Sequence, residues 1–211
     1  MSRPESAEPA RKTYQDEVRR VASRSIAGLE RTSLTPDALT VAGVGLCIAG
    51  AVVVYFEYVS HWFFFVGGLL FVIGSVLDIL DGALARRSGK GTPFGAFLDS
   101  TVDRVGEGFM LGAVGLVLMR DGFEWGVALA FAAMGGSFLV SYTRARAEAL
   151  GLKGDVGIGS RAERVVVLSV GLGLAPFHEL VLPLTIALLS ATAWLTVVQR
   201  VLSVRSQLRA R

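Results

Sequence analysis

The sequence predicts an all-α polytopic membrane protein with six transmembrane helices and an N-terminal cytoplasmic amphipathic helix. Three observations predict this fold class: a composition that is 52% hydrophobic, apolar residues gathered into long runs, and basic residues confined to alternate connections. The mean hydropathy is +0.55, well above that of a typical soluble domain. Apolar runs of about 20 residues with scattered glycines are typical of membrane helices rather than strands.

Six apolar runs are long enough, or nearly so, to cross the hydrocarbon core of a bilayer as helices. They are Leu39–Tyr58, Trp62–Leu80, Ala96–Met119, Trp125–Ala147, Val165–Phe177 and Val181–Val201. The fifth run is short unless its helix begins near Arg161, with Glu163 and Arg164 in its first turn. We therefore expect a single six-helix membrane domain over residues 37–211.

Residues 1–36 differ in character from the rest of the chain. Met1–Ala10 is polar, and we expect it to form a disordered tail. From about Thr13 to Thr32, apolar residues recur at helical spacing among several arginines. This pattern predicts an amphipathic helix on the cytoplasmic membrane surface, with a soluble helix packed on the cytoplasmic face as the alternative.

The basic residues predict the orientation of the chain in the membrane. If the chain crosses the membrane six times, one side of the membrane holds the arginines and lysines of both chain ends and of two connections. Arg120 lies on the other side. The positive-inside rule makes the side with the basic chain ends cytoplasmic. We expect a multi-pass protein of the plasma membrane with both termini and the active site in the cytoplasm. The net charge of +3 then reflects topology and does not indicate nucleic-acid binding.

Four aspartates lie near the cytoplasmic ends of the second and third spans. Asp78 and Asp81 are three residues apart, and Asp99 and Asp103 are four apart, so each pair lies on one helix face. The glycine-rich connection Arg86–Gly95 is short, which makes the two helices antiparallel neighbours and allows the pairs to converge. Carboxylates clustered near lipid repel one another and lose hydration, so they require protonation or bound cations.

Oxygen ligands alone favour a hard divalent cation such as Mg²⁺ or Mn²⁺. Four carboxylates are enough for a pair of metal ions roughly 3.5–4 Å apart, an arrangement that acts on phosphate groups. The alternative, in which the acids only neutralise nearby arginines, is weaker because the spacing of the segment is more specific. Glu107, one turn beyond Asp103, either supports the metal site or pairs with Arg104.

The spacing matches a family signature. The segment reads Asp78-x-x-Asp81-Gly82-x-x-Ala85-Arg86, then eight residues, then Gly95-x-x-x-Asp99-x-x-x-Asp103. It resembles the CDP-alcohol phosphotransferase family at every fixed position, and the resemblance extends over the six spans and the N-terminal helix. The resemblance implies a homodimeric membrane enzyme that transfers a phosphatidyl group from CDP-diacylglycerol to an alcohol and releases CMP.

The resemblance also implies roles for particular residues. Asp78, Asp81, Asp99 and Asp103 would ligate two Mg²⁺ ions, with Mn²⁺ possible, and Asp103 would also be the general base. The CDP end of the lipid would be held by residues of the first three helices: Asp37, Ala38, Leu39, Thr40, Gly82, Ala85, Arg86, Thr92 and Gly95. Glycine allows a nucleotide to approach the backbone, and an arginine offers a fork of donors to phosphate.

The signature leaves the acceptor alcohol open. Arginines of the fourth connection could bind an anionic acceptor such as a sugar phosphate, although the positive-inside rule also accounts for them. The segments SYTRARAEALGLKGD and RAERVVVL resemble phosphatidylinositol-phosphate synthases of actinobacteria and the related archaetidylinositol-phosphate synthases. That resemblance implies myo-inositol 1-phosphate as the acceptor, surrounded by Ser141, Arg144, Arg146, Arg161 and Arg164.

Two other functions are consistent with parts of the sequence. A phosphatidylglycerophosphate synthase shares the signature and takes the anionic acceptor glycerol 3-phosphate. An ion or proton transporter also carries intramembrane acids. A transporter would spread its carboxylates through the membrane or repeat them in a second half, whereas here all four lie at one end of two adjacent helices.

Overall fold

The described part of the chain folds into six α-helices that run up and down in sequence order. The computed structural model describes residues 35–89 and 91–210, and no strand occurs within them. The helices are α1 Pro36–Tyr55, α2 Trp62–Ser88, α3 Pro93–Arg120, α4 Gly126–Ala149, α5 Arg161–Leu174 and α6 Val181–Arg209, with a 3₁₀ turn at Ala175–Phe177. The predicted N-terminal tail and amphipathic helix lie outside the described residues.

Four of the described helices are long and apolar enough to cross a membrane: Pro36–Tyr55, Trp62–Arg86, Gly126–Ala149 and Val181–Arg209. Helix α3 carries several charged residues, and α5 has 14 residues, so neither meets the same test of length and composition. The fold class of an all-helical integral membrane protein is confirmed for the described residues, whereas six spans remain a prediction. Helix α5 does begin at Arg161, as a longer fifth helix requires.

The helix ends explain why the chain reverses where it does. Thr35 and Thr92 precede α1 and α3, and their hydroxyls accept hydrogen bonds from Ala38 N at 3.2 Å and Gly95 N at 2.9 Å. Helix α2 ends at Ser88 and is followed by Gly89, whose φ of +65° is left-handed and free of strain only for glycine. We name the end formed by the starts of α1, α3 and α5 and the ends of α2, α4 and α6 the aspartate end. The opposite end is the far end.

Helices α1 and α2 pack backbone against backbone through glycines spaced seven residues apart. A Cβ added at Gly43 would lie 2.9 Å from the Gly74 carbonyl oxygen, and one at Gly50 would lie 2.6 Å from that of Gly67. Such close contact is a typical way for membrane helices to associate, because lipid offers no hydrophobic force between them. The antiparallel register places the start of α1 beside the aspartates of α2.

The apolar core lies away from the aspartates, toward the end of the bundle where α1 and α5 finish and α6 begins. Val54, Phe71, Met110, Leu172 and Ile186 come from five different helices, and each is at most 1% exposed. The buried charged side chains lie outside this core, near the two ends of the bundle. The candidate site occupies one of these ends.

Candidate functional site

Three aspartates meet at the aspartate end. Asp78 on α2 and Asp99 and Asp103 on α3 each place one carboxylate oxygen within 4.8 Å of the others. The spacing of four residues puts Asp99 and Asp103 on the same face of α3, and the short connection after Gly89 brings that face to α2. Three carboxylates that converge on one point suit a divalent cation with oxygen ligands.

The fourth aspartate flanks this cluster. Asp81 is 2% exposed and accepts a hydrogen bond from the Thr40 hydroxyl of α1. It is not one of the three residues whose oxygens lie within 4.8 Å of one another. Asp81 and Asp99 instead share the wall of an adjoining cavity, so the four carboxylates form one continuous acidic site.

A cavity of about 240 Å³ opens between the starts of α1 and α3 and the end of α2. Besides Asp81 and Asp99, its walls include most of the residues predicted to hold the CDP group: Asp37, Thr40, Gly82, Ala85, Arg86, Thr92 and Gly95. Of the remaining two, Ala38 is exposed and Leu39 is buried against Leu84. The structure thus brings the metal and nucleotide predictions into one place.

The cavity combines aspartates with groups that attract anions. Helix α3 begins in its wall, so the positive end of the helix dipole favours a bound phosphate. Arg86 adds a guanidinium that can donate two parallel hydrogen bonds. A Cβ added at Gly95 would lie 3.0 Å from Asp37 Oδ1, and one at Gly82 would lie 3.4 Å from Arg86 Nη1. Side chains at either glycine would therefore fill space that a ligand needs.

Arg161, the first residue of α5, lies across two of the clustered aspartates. Its Nη1 is 2.5 Å from Asp78 Oδ2, and its Nη2 is 2.5 Å from Asp103 Oδ1. One guanidinium therefore offsets part of the repulsion between two carboxylates. From sequence we predicted Arg161 as an acceptor ligand and did not pair it with these aspartates, because Asp78 lies 83 residues away along the chain.

A capping box fixes the start of α5. Ser160 N donates to Glu163 Oε2 at 2.7 Å, and Glu163 N donates to Ser160 Oγ at 3.4 Å. The Ser160 hydrogen bonds hold the pKa of Glu163 below its ordinary value, because they stabilise the charged carboxylate. The Ser-x-x-Glu pattern is the sequence signal that locates this helix start, and thereby Arg161.

Arg164, one turn further along α5, forms a buried ion pair with Glu107 of α3. Its Nε is 2.7 Å from Glu107 Oε1, its Nη2 is 3.0 Å from Oε2, and its Nη1 donates to Gly159 O at 2.7 Å. Arg164 is 4% exposed and Glu107 is 7% exposed. The partner of Glu107 is thus Arg164 rather than Arg104. A contact of Arg164 with an acceptor would require exchange of one of these bonds.

The remaining residues predicted to bind the acceptor lie near the end of α4. Arg144 and Arg146 are exposed, and Ser141 is half-buried. Arg144 Nε lies 2.9 Å from Glu148 Oε1, an exposed pair within the helix. These arginines keep their charges accessible to solvent, as binding of an anion from solution requires.

The loop that precedes Arg161 is fastened to α6. Arg200 is 6% exposed and donates from Nε to Val156 O at 2.9 Å and from Nη1 to Val140 O. Gly159 N donates to Thr196 Oγ1 at 2.9 Å. Sequence reasoning missed Arg200, because its partners lie 44 and 60 residues away along the chain. The clamp holds the loop that leads into α5 and Arg161.

Comparison with known proteins assigns this architecture to a family. The family model described as CDP-alcohol phosphatidyltransferase matches residues 33–202. A phosphatidylinositol phosphate synthase of Mycobacterium marinum is 37% identical over 194 residues, which cover 88% of this chain and 80% of that protein.

Two solved structures of Mycobacterium tuberculosis phosphatidylinositol phosphate synthase (PgsA1) share the fold. The one with CDP-DAG bound has a TM-score of 0.78 and 33% identity, over 88% of this chain and 94% of that chain. The complex with manganese and citrate has a TM-score of 0.75 and 32% identity, over 87% of this chain and 88% of that chain. The chain therefore belongs to the CDP-alcohol phosphatidyltransferase family of membrane enzymes.

Proposed function

We propose that the protein transfers the phosphatidyl group of CDP-diacylglycerol to the hydroxyl of myo-inositol 1-phosphate and releases CMP. The observation that carries this proposal is the cluster of carboxylates within 4.8 Å of one another beside a cavity of about 240 Å³ that is lined by Arg86 and the start of α3. The relatives named for the synthesis of phosphatidylinositol phosphate align over most of the chain, which supports the inositol phosphate acceptor.

Asp78, Asp81, Asp99 and Asp103 are proposed to hold two Mg²⁺ ions, with Mn²⁺ as a substitute. Four carboxylates share one end of the bundle, and the ion pairs of that end give them only Arg161 as a partner among the described residues. Added positive charge therefore fits the site. Bound ions would neutralise the diphosphate and the charge that develops on departing CMP.

The cavity beside the aspartates is proposed to hold the CDP end of the lipid. Arg86 and the start of α3 at Thr92 would bind the diphosphate, while Gly82 and Gly95 let it approach the backbone. Asp37, Thr40 and Ala85 form the rest of the wall, and Ala38 and Leu39 would support it from the first turn of α1. This arrangement keeps the reacting phosphorus next to the carboxylates.

Asp103 is proposed to accept the proton of the acceptor hydroxyl. The hydroxyl oxygen then forms a bond to the phosphorus that carries diacylglycerol, and the bond from that phosphorus to CMP breaks. General-base catalysis of this kind contributes roughly 10²–10⁴-fold to a rate. Arg161 keeps the Asp103 carboxylate beside Asp78, so the base stays within the cluster.

The acceptor phosphate is proposed to bind Arg144, Arg146 and Arg161, with Ser141 and Arg164 nearby. The exposure of Arg144 and Arg146 supports this, since a soluble sugar phosphate must reach them from water. Glycerol 3-phosphate, the acceptor of phosphatidylglycerophosphate synthases, would satisfy the same charges. The lipid tail could also be an archaeal ether lipid, as in archaetidylinositol-phosphate synthases. The acceptor must therefore be tested directly.

The test is CMP release by the purified full chain with Mg²⁺, CDP-diacylglycerol and each acceptor in turn. We expect release with myo-inositol 1-phosphate and not with glycerol 3-phosphate, free inositol or serine. Asp99→Asn is the inactive control. Release with glycerol 3-phosphate alone would make the protein a phosphatidylglycerophosphate synthase. Proton or Na⁺ flux in liposomes without any CDP-lipid would instead support a transporter.

We also propose a homodimer in the plasma membrane, with the aspartate end in the cytoplasm. Arg86 near the end of α2, Lys153 in the α4–α5 connection and Arg209 at the end of α6 lie at that end, which supports the orientation. Cys47 is buried and can be replaced before cysteines are placed at Ala210 and at Glu124. We expect a membrane-impermeant thiol reagent to label only the cysteine at 124 in intact cells. Native mass spectrometry should show a dimer.

A further inference from the structure

A second, much smaller cavity lies on the inner side of the aspartate cluster, toward the centre of the bundle. Its volume is about 10 Å³, and its walls include Ser75, Asp78, Asp103 and Arg161. A cavity holds one water molecule when the volume open to the centre of a water-sized sphere is roughly 10–15 Å³ and polar partners surround it. The cavity is therefore of the right size for a single water.

Three buried polar atoms without a hydrogen-bond partner belong to the walls of this cavity. They are Ser75 Oγ, Asp103 Oδ1 and Arg161 Nε, out of five such side-chain atoms in the described part of the chain. The Arg161 Nη2 atom is close to Asp103 Oδ1, but the two groups are not aligned as a hydrogen bond. The Cys47 thiol lies beside the Ser75 hydroxyl and is directed to Phe71 O at 3.8 Å, a weak contact that leaves the Ser75 hydroxyl without a strong partner. Buried polar atoms are rarely left unpaired, so convergence of three of them indicates a missing common partner.

We infer that one ordered water fills this cavity and that Ser75 is a positioning residue for Asp103. The water accepts a hydrogen bond from the Arg161 Nε–H, donates one to Asp103 Oδ1 and shares one with the Ser75 hydroxyl. Three hydrogen bonds are the usual number for a buried water. The water and Arg161 together hold one oxygen of Asp103 on the inner side of the cluster. The other oxygen is left to face the cluster and the acceptor.

The expected effect on catalysis rests on the proposed role of Asp103 as general base. The presence of the water does not depend on that role. Ser75 does not belong to the walls of the nucleotide cavity. Its loss should therefore leave binding of CDP-diacylglycerol intact, while the orientation of Asp103 and its contact with Arg161 change. Groups that hydrogen-bond to a metal ligand, as Asp103 is proposed to be, typically change metal affinity or activity about 10- to 100-fold.

The kinetic test compares Ser75→Ala with a matched control, Ser137→Ala. Ser137 on α4 is 1% exposed and also has an unpartnered hydroxyl, but it does not belong to the walls of this cavity. We expect Ser75→Ala to lower kcat about 10-fold with KM for CDP-diacylglycerol within twofold of the wild type. Ser137→Ala should leave both constants within twofold. Equal kcat values for Ser75→Ala and wild type would overturn the positioning role.

The structural test is a high-resolution structure of the full chain and of its Ser75→Ala variant. We expect solvent density within hydrogen-bond distance of Ser75 Oγ, Arg161 Nε and Asp103 Oδ1 in the wild type, weakened or displaced in the variant. An empty cavity, or a direct bond from Ser75 to Asp103, would overturn the inference. This density does not depend on activity, so an inactive protein that holds the water would contradict the proposed function alone.

Discussion

Both ends of the bundle bury carboxylates, but only one end supplies enough positive charge for them. At the far end, Glu57 is 4% exposed and pairs with Arg120, which also donates to Tyr55 O at 2.9 Å. The Arg120 guanidinium lies 4.6 Å from the centroid of the Tyr58 ring, a favourable cation–π distance. The buried acid thus has its own arginine, and the neighbouring Asp121 is exposed to solvent.

At the aspartate end the balance is different. Asp78 and Asp103 share Arg161, and no ion pair is found for Asp81 or Asp99 among the described residues. A buried acid that is paired with its own arginine costs the folded state little stability. Acids without such a partner lower the stability of the folded state until a cation binds. The difference between the two ends indicates that buried acids without a basic partner mark a ligand-binding site, whereas a buried acid with its own arginine is a structural contact.

The largest expected effect comes from the proposed base. Asp103→Asn should lower kcat by roughly 10²–10⁴-fold, because the amide cannot accept the proton. Its thermal unfolding midpoint in detergent should not fall, since one member of a repelling group is neutralised. CMP release and a thermal unfolding curve measure the two effects. Activity above a tenth of the wild type would contradict the role of Asp103.

The next largest effect is expected at the buried ion pair between α3 and α5. Arg164→Met should lower the free energy of unfolding by about 3–5 kcal/mol, because Glu107 is left charged and unpaired. The double variant with Glu107→Gln should recover much of this loss. Denaturant titration of the single and double variants measures both. Equal stability of Arg164→Met and the wild type would show that the pair is not formed.

At the far end, the matched pair should affect stability without affecting chemistry. Glu57→Gln should lower the free energy of unfolding by about 1.5–3 kcal/mol, the range for hydrogen bonds to charged groups. Its kcat should stay within twofold of the wild type, because Glu57 lies at the end opposite the aspartates. CMP release measures kcat, and denaturant titration measures the free energy of unfolding. A large loss of kcat in a folded Glu57→Gln protein would contradict the conclusion that the far end has only a structural role.

The smallest effect is expected at the glycine contact that sets the register of the aspartates. Gly43→Ala should cost about 1–3 kcal/mol, because its Cβ would lie 2.9 Å from the Gly74 carbonyl oxygen. Gly45→Ala is the matched control on the same helix, since nothing lies within 4 Å of its Cβ. Thermal unfolding should rank the control at or above the wild type. Equal losses in both variants would exclude the close packing of α1 on α2.

The spacing of charged and small residues predicted much of this structure, because helical periodicity is local. Aspartates three and four residues apart had to share helix faces, and the short glycine-rich connection had to bring those faces together. The seven-residue spacing of Gly43 with Gly50 and of Gly67 with Gly74 is also visible in the sequence, although only the structure shows that the two pairs meet.

The partners of the arginines could not be predicted in the same way. Arg161 reaches Asp78 across 83 residues, and Arg164 reaches Glu107 across 57. These contacts depend on how α5 packs against α2 and α3, and the Arg200 clamp likewise depends on the position of α6. Charge composition identified these arginines as candidates, but tertiary packing decided which carboxylate or carbonyl each one meets.

Equilibrium binding of Mn²⁺ to the full chain in detergent measures whether the unmatched aspartates hold metal. We expect saturable binding of two ions by the wild type and by Glu57→Gln. The double variant Asp81→Asn with Asp99→Asn should remain folded but lose that binding. Unchanged Mn²⁺ binding by the double variant would contradict the claim that the unmatched aspartates form the metal site.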